Sequence, residues 1–484
     1  MKTTFRINLR ATIWLLFATG AVILALTGCD SKVESGFATA DDGEEETFVT
    51  PEPLNLLAIG VPGFNEDVSR LWAAERDGDL KISHMSVADF ESKVNLPGDV
   101  DLIVHPAVSN VDLISKDLIR VFPRDGLVSN EMNMEGFLSH FRKALVRHND
   151  ETWSVSLGGQ QLRLLYRRDV LKAADIDPPD TWEELDRAIE KLKDAEAAKG
   201  LAAIVVPTGG EMGSRMLMAR VASQIRDQGK LTSFFDRKTM KPMVASEPFV
   251  KALSSLKALV AESGGTFAVG ETFEKFAAGE AVFAVAWPVA SEKVIAESIE
   301  ANSANWGVAR LPGSSLFYDL KESNWFKRRK GDDGKVDLLG IAANNISISS
   351  RTSNAKDATE FVAWLVDKRN SQKLLLDVAA PFRATHLARI GTWYSMEQAD
   401  RTFLNEMADS IEETHKSRIF LMFPQLPGTR QYLSLLDDAV VKFLAGDSSD
   451  AKKVLEGVAK DWDELTESLG RESQVRELRQ GNGI

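Results

Sequence analysis

The sequence predicts an α/β protein built of two lobes, and three observations carry that expectation. Short apolar runs of strand length alternate along the chain with stretches whose apolar residues recur at helical spacing, which is the pattern of parallel sheets covered by helices on both faces. The length of 484 residues exceeds what one ordinary core organises and suits two. A composition of 44% hydrophobic and 27% charged residues is that of a globular chain, neither disordered nor membrane-spanning.

The body begins at Leu54. The run Leu54 to Ile59 is a buried-strand candidate, and Val68, Leu71 and Trp72 follow at helical spacing. Leu80 to Met85 and Asp101 to His105 repeat the pattern, the latter closed by Pro106. Ligands of such sheets gather beyond the carboxyl ends of the strands, where helix N-termini present free amides. Phe64, Asn65, Pro106 and Ser109 are therefore pocket candidates. Leu201 to Val206 is another strand run, and Gly209 at its tip is a candidate on the second lobe.

From Leu162 to Leu192 the residues predict strand, short helix, proline stop and amphipathic helix. Pro178 and Pro179 end the first helix, and Thr181 with Glu184 forms a capping box for the second, whose inward face is Trp182, Leu185, Ile189 and Leu192. The same stretch, Tyr-Arg-Arg-Asp-Val-Leu followed by Ala-Asp-Ile-Asp-Pro-Pro-Asp-Thr-Trp-Glu-Glu-Leu, resembles the extracellular solute-binding proteins of family 1, the maltose-binding-protein-like receptors of ABC importers. Four further blocks resemble the family in its own order, from Leu54 to Leu469.

The resemblance implies a two-lobed periplasmic-binding-protein type II fold, each lobe a mostly parallel sheet with flanking helices, joined by crossing hinge strands. It divides the chain into residues 54–157 plus 285–340 as one lobe and 158–284 plus 341–475 as the other, with a tail at 476–484. The block from Trp153 to Gln160 is similar to the segment that crosses between lobes and lines the cleft, which makes Gly159 and Gln160 candidates and leaves Trp153 as either a pocket or a core residue. Gly279 to Pro288 resembles the family block whose aromatic sits beside the ligand, so Trp287 is the leading candidate. Arg383, Arg430 and Tyr432 fall in loops similar to those facing the cleft. Guanidinium forks suit vicinal hydroxyls or carboxylates there, or form surface ion pairs.

The N-terminus points outside the cytoplasm. Lys2, Arg6 and Arg10 precede an apolar run from Ala11 to Leu26, too short to span a bilayer and of signal-peptide type. Leu26-Thr27-Gly28-Cys29 resembles a lipobox, which implies that Cys29 carries a lipid anchor after residues 1–29 are processed; the alternative is an uncleaved anchor helix. Residues 30–53, with the acidic run Asp41 to Glu46, read as a flexible tether.

The formal charge of −13 argues against a nucleic-acid partner, which needs a basic face to neutralise phosphate, and against simple adhesion to anionic lipid. No phosphate-binding loop, zinc-ligand pair or nucleophile elbow is present, so neither a cofactor nor an enzymatic role is expected; a glycoside-acting carboxylate pair is the remote alternative. The expected partners are a small polar solute, a sugar or polyol, and a membrane permease, with the receptor itself a monomer. A tethered receptor that senses without transporting is the second reading. The polar segment 316–336, with Lys327 to Lys330, departs from the family pattern and reads as a solvated loop.

Overall fold

A computed structural model describes residues 53–480, apart from 62–63, 65, 77, 93–95, 227–233, 290–293, 295, 330, 333, 340–341, 375–379 and 418. The signal, Cys29 and the acidic tether lie outside the described residues, as does Asn65. Residues 51–484 form one compact unit. No described helix is long and apolar enough to cross a membrane.

The two-lobed α/β architecture is present, and each lobe is organised by one sheet. The first sheet runs in the order Leu80–Met85, Leu54–Ile59, Leu102–Pro106, Ala342–Ile348, Val155–Gln160. Its first three strands are parallel and its last two pairings antiparallel. The second sheet runs Trp306–Arg310, Arg163–Arg167, Ala281–Ala286, Ala202–Val205. Only Ala281–Ala286 and Ala202–Val205 are parallel there. The sheets are thus mixed where mostly parallel ones are expected. The reason is the route of the chain: a strand that arrives from the other lobe needs no crossover helix, so it can enter antiparallel.

The strand pairing also corrects two lobe assignments. Trp306–Arg310 pairs with Arg163–Arg167 and stays in the second lobe, while Ala342–Ile348 pairs with Leu102–Pro106 and returns to the first. The return to the first lobe therefore comes after residue 339, and not near residue 285. The tail is shorter than expected as well: Arg471–Gln480 is a helix, held by Leu478, which is buried in the second-lobe core.

Side chains alternate between faces along each strand, as the pleat requires. Leu57 and Ile59 face one small core with Phe90 and Leu113, and Leu56 and Ala58 face a second core with Leu102, Val104 and Ile346. That second core continues beneath the other sheet through Leu165, Val205 and Ala284. Trp306 is its keystone, packed among Phe273, Phe276 and Phe403 with ring centroids 5.4–6.1 Å away. The far face of the second sheet, with Leu164, Ile204 and Phe283, is covered by the helices Trp182–Leu192, Met212–Ala222, Glu247–Ser263, Thr429–Ala445 and Ala451–Ser468. The capping box forms as expected, with the Glu184 amide bonded to Thr181 Oγ1 at 3.2 Å and Glu184 Oε2 accepting from the Thr181 amide at 3.1 Å.

Segment 316–336 is not simply a loop. Leu316–Asp319 and Asn324–Lys327 form an antiparallel hairpin, extended by Ile225–Arg226. Phe317 stacks on Phe326 and Tyr318 packs edge-on against Trp325, so cross-strand aromatic pairs hold a segment whose charged flanks conceal them in the sequence.

Candidate functional site

The chain passes between sheets at residues 160–163 and again at 337–342. Glycine makes the first passage possible. Gly158 has φ +84°, and a Cβ there would stand 2.3 Å from the Ala380 carbonyl; one on Gly159 would stand 2.7 Å from Ala343. A small recess, with a cavity volume of about 10 Å³, lies beside the two passages. It is lined by Gln160, Gln161, Leu162 and Arg163 from the first passage, Asp337 from the second, and Met212, Trp287 and Leu311 from the second lobe.

Period-two alternation puts Gln161 and Arg163 on one side of the extended chain, and an Arg163 Nη2 donates to Gln161 Oε1. Arg163 is fully buried. It also donates to the carbonyls of Ser410 (3.2 Å) and Leu162 (3.3 Å) and to Thr414 Oγ1 (3.2 Å), while Asp337 stands 3.9 Å away. Burial pulls its pKa down and the Asp337 charge opposes that. Asp337 is held more directly by Arg310, whose Nε donates at 3.2 Å and whose Nη2 reaches the other carboxylate oxygen, and by the Thr414 hydroxyl at 3.0 Å. Behind this group, Gln161 Nε2 donates to His415 Nε2 at 3.0 Å. Burial lowers the pKa of both His415 and His140, so the pair is neutral near pH 7.

Two atoms of this lining are buried without a hydrogen-bond partner: Gln160 Oε1, an acceptor, and Arg163 Nε, a donor. Half-buried Trp287 supplies an apolar face, resting on the second-lobe core. A donor, an acceptor and an aromatic surface in one recess suit a small polyhydroxylated molecule. Among the described residues no cluster of His, Cys, Asp and Glu could hold a metal ion.

The lobes also touch through polar contacts beyond the recess. Arg430, in the first turn of Thr429–Ala445, bonds Glu91 of the first lobe at 2.5 Å and Glu211 of the second at 3.4 Å. The Gly428 amide donates to Asp112 Oδ1 (2.8 Å), Gln425 Nε2 to the Ala144 carbonyl (3.0 Å), and His148 faces Glu477 at 3.2 Å. Burial raises the pKa of Asp112, with the Gly428 amide pulling the other way.

Of the candidates named from the sequence, the recess brings together Gln160 and Trp287. Phe64 lies in the first-lobe core. Pro106 ends its strand and its carbonyl accepts from His105 Nδ1 at 3.0 Å. Ser109 is buried with an unpartnered hydroxyl. Trp153 packs on the small core of the first sheet, its indole donating to the His148 carbonyl at 3.1 Å. Gly159 serves the close backbone approach, and Gly209 bonds the Phe267 carbonyl at 3.0 Å. Arg383 is engaged away from the recess, by the carbonyls of Val366, Asn133 and Met132 at 2.6–3.1 Å and by the Phe137 ring. Tyr432 is core, its hydroxyl 2.8 Å from Thr466. Sequence reasoning missed Arg163 and Asp337; the signal was a charge inside an otherwise apolar run in each case, Leu-Arg-Leu-Leu and Val-Asp-Leu-Leu.

Residues 149–372 match the family model of the bacterial extracellular solute-binding proteins. The fold is similar to that of an ABC transporter solute-binding protein from Agrobacterium radiobacter in complex with ribitol (18% identity, 85% of this chain and 98% of that one, TM-score 0.61). It is similar to an ABC substrate-binding protein from Listeria monocytogenes in complex with cycloalternan (14%, 86% and 99%, TM-score 0.60). It is also similar to the sugar-binding protein MalE from Xanthomonas citri (14%, 86% and 98%, TM-score 0.63). At those identities the likeness is one of fold. No curated protein matches the chain. The segment 149–372 thus matches the bacterial extracellular solute-binding proteins, and the whole described body shares the two-lobed type II fold of the solved ones.

Proposed function

We propose that this protein captures a small polar solute, a sugar or polyol, between its lobes and presents it to an ABC permease, from outside the cytoplasm and tethered as a monomer by a lipid on Cys29. The observation that carries the reading is the recess at the two inter-sheet passages, where Gln160 Oε1 and Arg163 Nε are buried without partners beside Trp287. A buried donor and acceptor left unmatched each cost about 1–3 kcal/mol, and sugar hydroxyls relieve both. Solved proteins of the same fold hold ribitol and D-mannitol, which supports the ligand class.

Binding works by closure. A solute biases the lobes toward the closed form only by as much as it prefers that form, so contacts to both passages and to Trp287 at once are what drive it. The family consists of binding proteins, and the role proposed is binding without catalysis.

A thermal-shift screen of neutral sugars and polyols tests this directly. A ligand near a hundred times its Kd raises stability by about 2.7 kcal/mol, a readily measured shift in Tm. No shift with any of them, nor with sugar acids, would contradict the reading. Sugar uptake lost on deleting the gene separates transport from sensing alone.

A further inference from the structure

The charge at the base of the recess does not balance. Arg310 and the Thr414 hydroxyl bond Asp337 at close range, whereas Arg163 stands 3.9 Å from that carboxylate, beyond hydrogen-bond distance. Every hydrogen bond Arg163 makes goes to a neutral acceptor: the Gln161 side chain, two carbonyls and the Thr414 hydroxyl. Two guanidinium groups thus share one carboxylate. His140 and His415 behind them are neutral near pH 7 and Tyr394 keeps its proton, so they offset nothing. Glu413 also attracts Arg163, but it is exposed and solvent weakens its pull.

A guanidinium buried to this degree normally has its own counter-ion, because desolvating an ion is costly unless it is paired. Arg163 has none of its own, and its Nε is unpartnered although the residue lines the recess. We propose that the ligand carries that counter-ion: a sugar acid, whose carboxylate accepts from Arg163 while a ring hydroxyl donates to Gln160 Oε1 and the ring lies against Trp287. Two buried guanidiniums against one buried carboxylate, Asp337, leave one positive charge among the buried groups, which fits a monoanionic carboxylate better than a dianionic phosphate, one carboxylate oxygen accepting from Arg163 Nε. This rests on the reading of the chain as a sugar or polyol receptor and narrows it.

The test is equilibrium binding of the full-length protein to D-glucuronate and D-galacturonate, each against D-glucose and D-galactose, with D-glucose 6-phosphate as a further arm and ionic strength held constant. At least one uronate binds tighter than its neutral counterpart by about tenfold or more, and Arg163→Gln brings that ratio close to one. Gln160→Leu weakens acid and neutral sugar alike and leaves the ratio. The wild-type ratio alone decides the matter if Arg163→Gln does not fold. Neutral sugars binding as well as the uronates, or better, overturns the carboxylate while leaving the sugar-receptor reading intact. Tighter binding of the 6-phosphate also overturns it, as does no binding in any arm, and the receptor reading falls only if the wider thermal-shift screen is silent too.

Discussion

Trp287 and Arg383 show how a motif and a side chain can part company. Trp287 closes a block resembling the family's and Arg383 sits in a loop resembling one that faces the cleft, and a motif fixes where the backbone goes without fixing where a long side chain finds its partners. Trp287 lines the recess, so Trp287→Ala should lower sugar affinity about tenfold or more, since an interface tryptophan commonly contributes upward of 1–2 kcal/mol. Being half-buried, it should change Tm little. Arg383 binds three carbonyls and covers Phe137, and burial pushes its pKa down to about 10. Arg383→Ala should therefore destabilise the fold by about 3 kcal/mol in denaturant unfolding and leave affinity unchanged. Arg163 was the harder case, because one arginine in an apolar strand reads as an interruption until the passage it sits on is known.

The histidines give a pH signature at the same scale. Burial lowers the pKa of His105 to about 4 and that of His386 to about 3. Below the ordinary value of 6.5 the unfolded chain takes up protons that the folded chain refuses. Stability therefore falls as pH drops from about 6.5 toward 4. His105 alone accounts for roughly 3 kcal/mol over that window at 1.36 kcal/mol per pKa unit. Denaturant unfolding at pH 7, 6 and 5 measures the slope, and His105→Asn should flatten it.

Among the elements, the strand runs were legible because apolar runs of six residues bounded by turn residues have few other uses. Leu54–Ile59 and Leu80–Met85 stand where the residues put them. Their partners were less so. Periodicity marks a strand but not its sheet, and the two strands Trp306–Arg310 and Ala342–Ile348 differ only in which lobe the chain re-enters. The segment 424–432 resembles a loop facing the cleft, and Arg430 does reach across to Glu91. Arg430→Ala removes a partly exposed ion pair of about 1 kcal/mol or less. The expected result is a more open population in small-angle scattering and an affinity lowered at most about fivefold; an unchanged scattering curve would mean the pair does not hold the lobes.

For the molecule as a whole, length, composition and the strand–helix alternation predict two lobes, and nothing in the sequence predicts that they share one core. Leu165, Ala284 and Trp306 of the second sheet belong to the same apolar cluster as Leu56 and Val104 of the first. Such continuity is set by residues far apart in sequence and has no local signature. It predicts that the two lobes unfold together, in one calorimetric transition with equal calorimetric and van't Hoff enthalpies; two separated transitions would show independent lobes.

The central claim is that a solute binds where the chain crosses between its sheets, and a crystal structure with the sugar or sugar acid that raises Tm most is its most direct test. One ligand molecule against Trp287, accepting from Arg163 Nε and donating to Gln160 Oε1, is the predicted result. A ligand bound elsewhere, with both of those atoms still unpartnered, would contradict it.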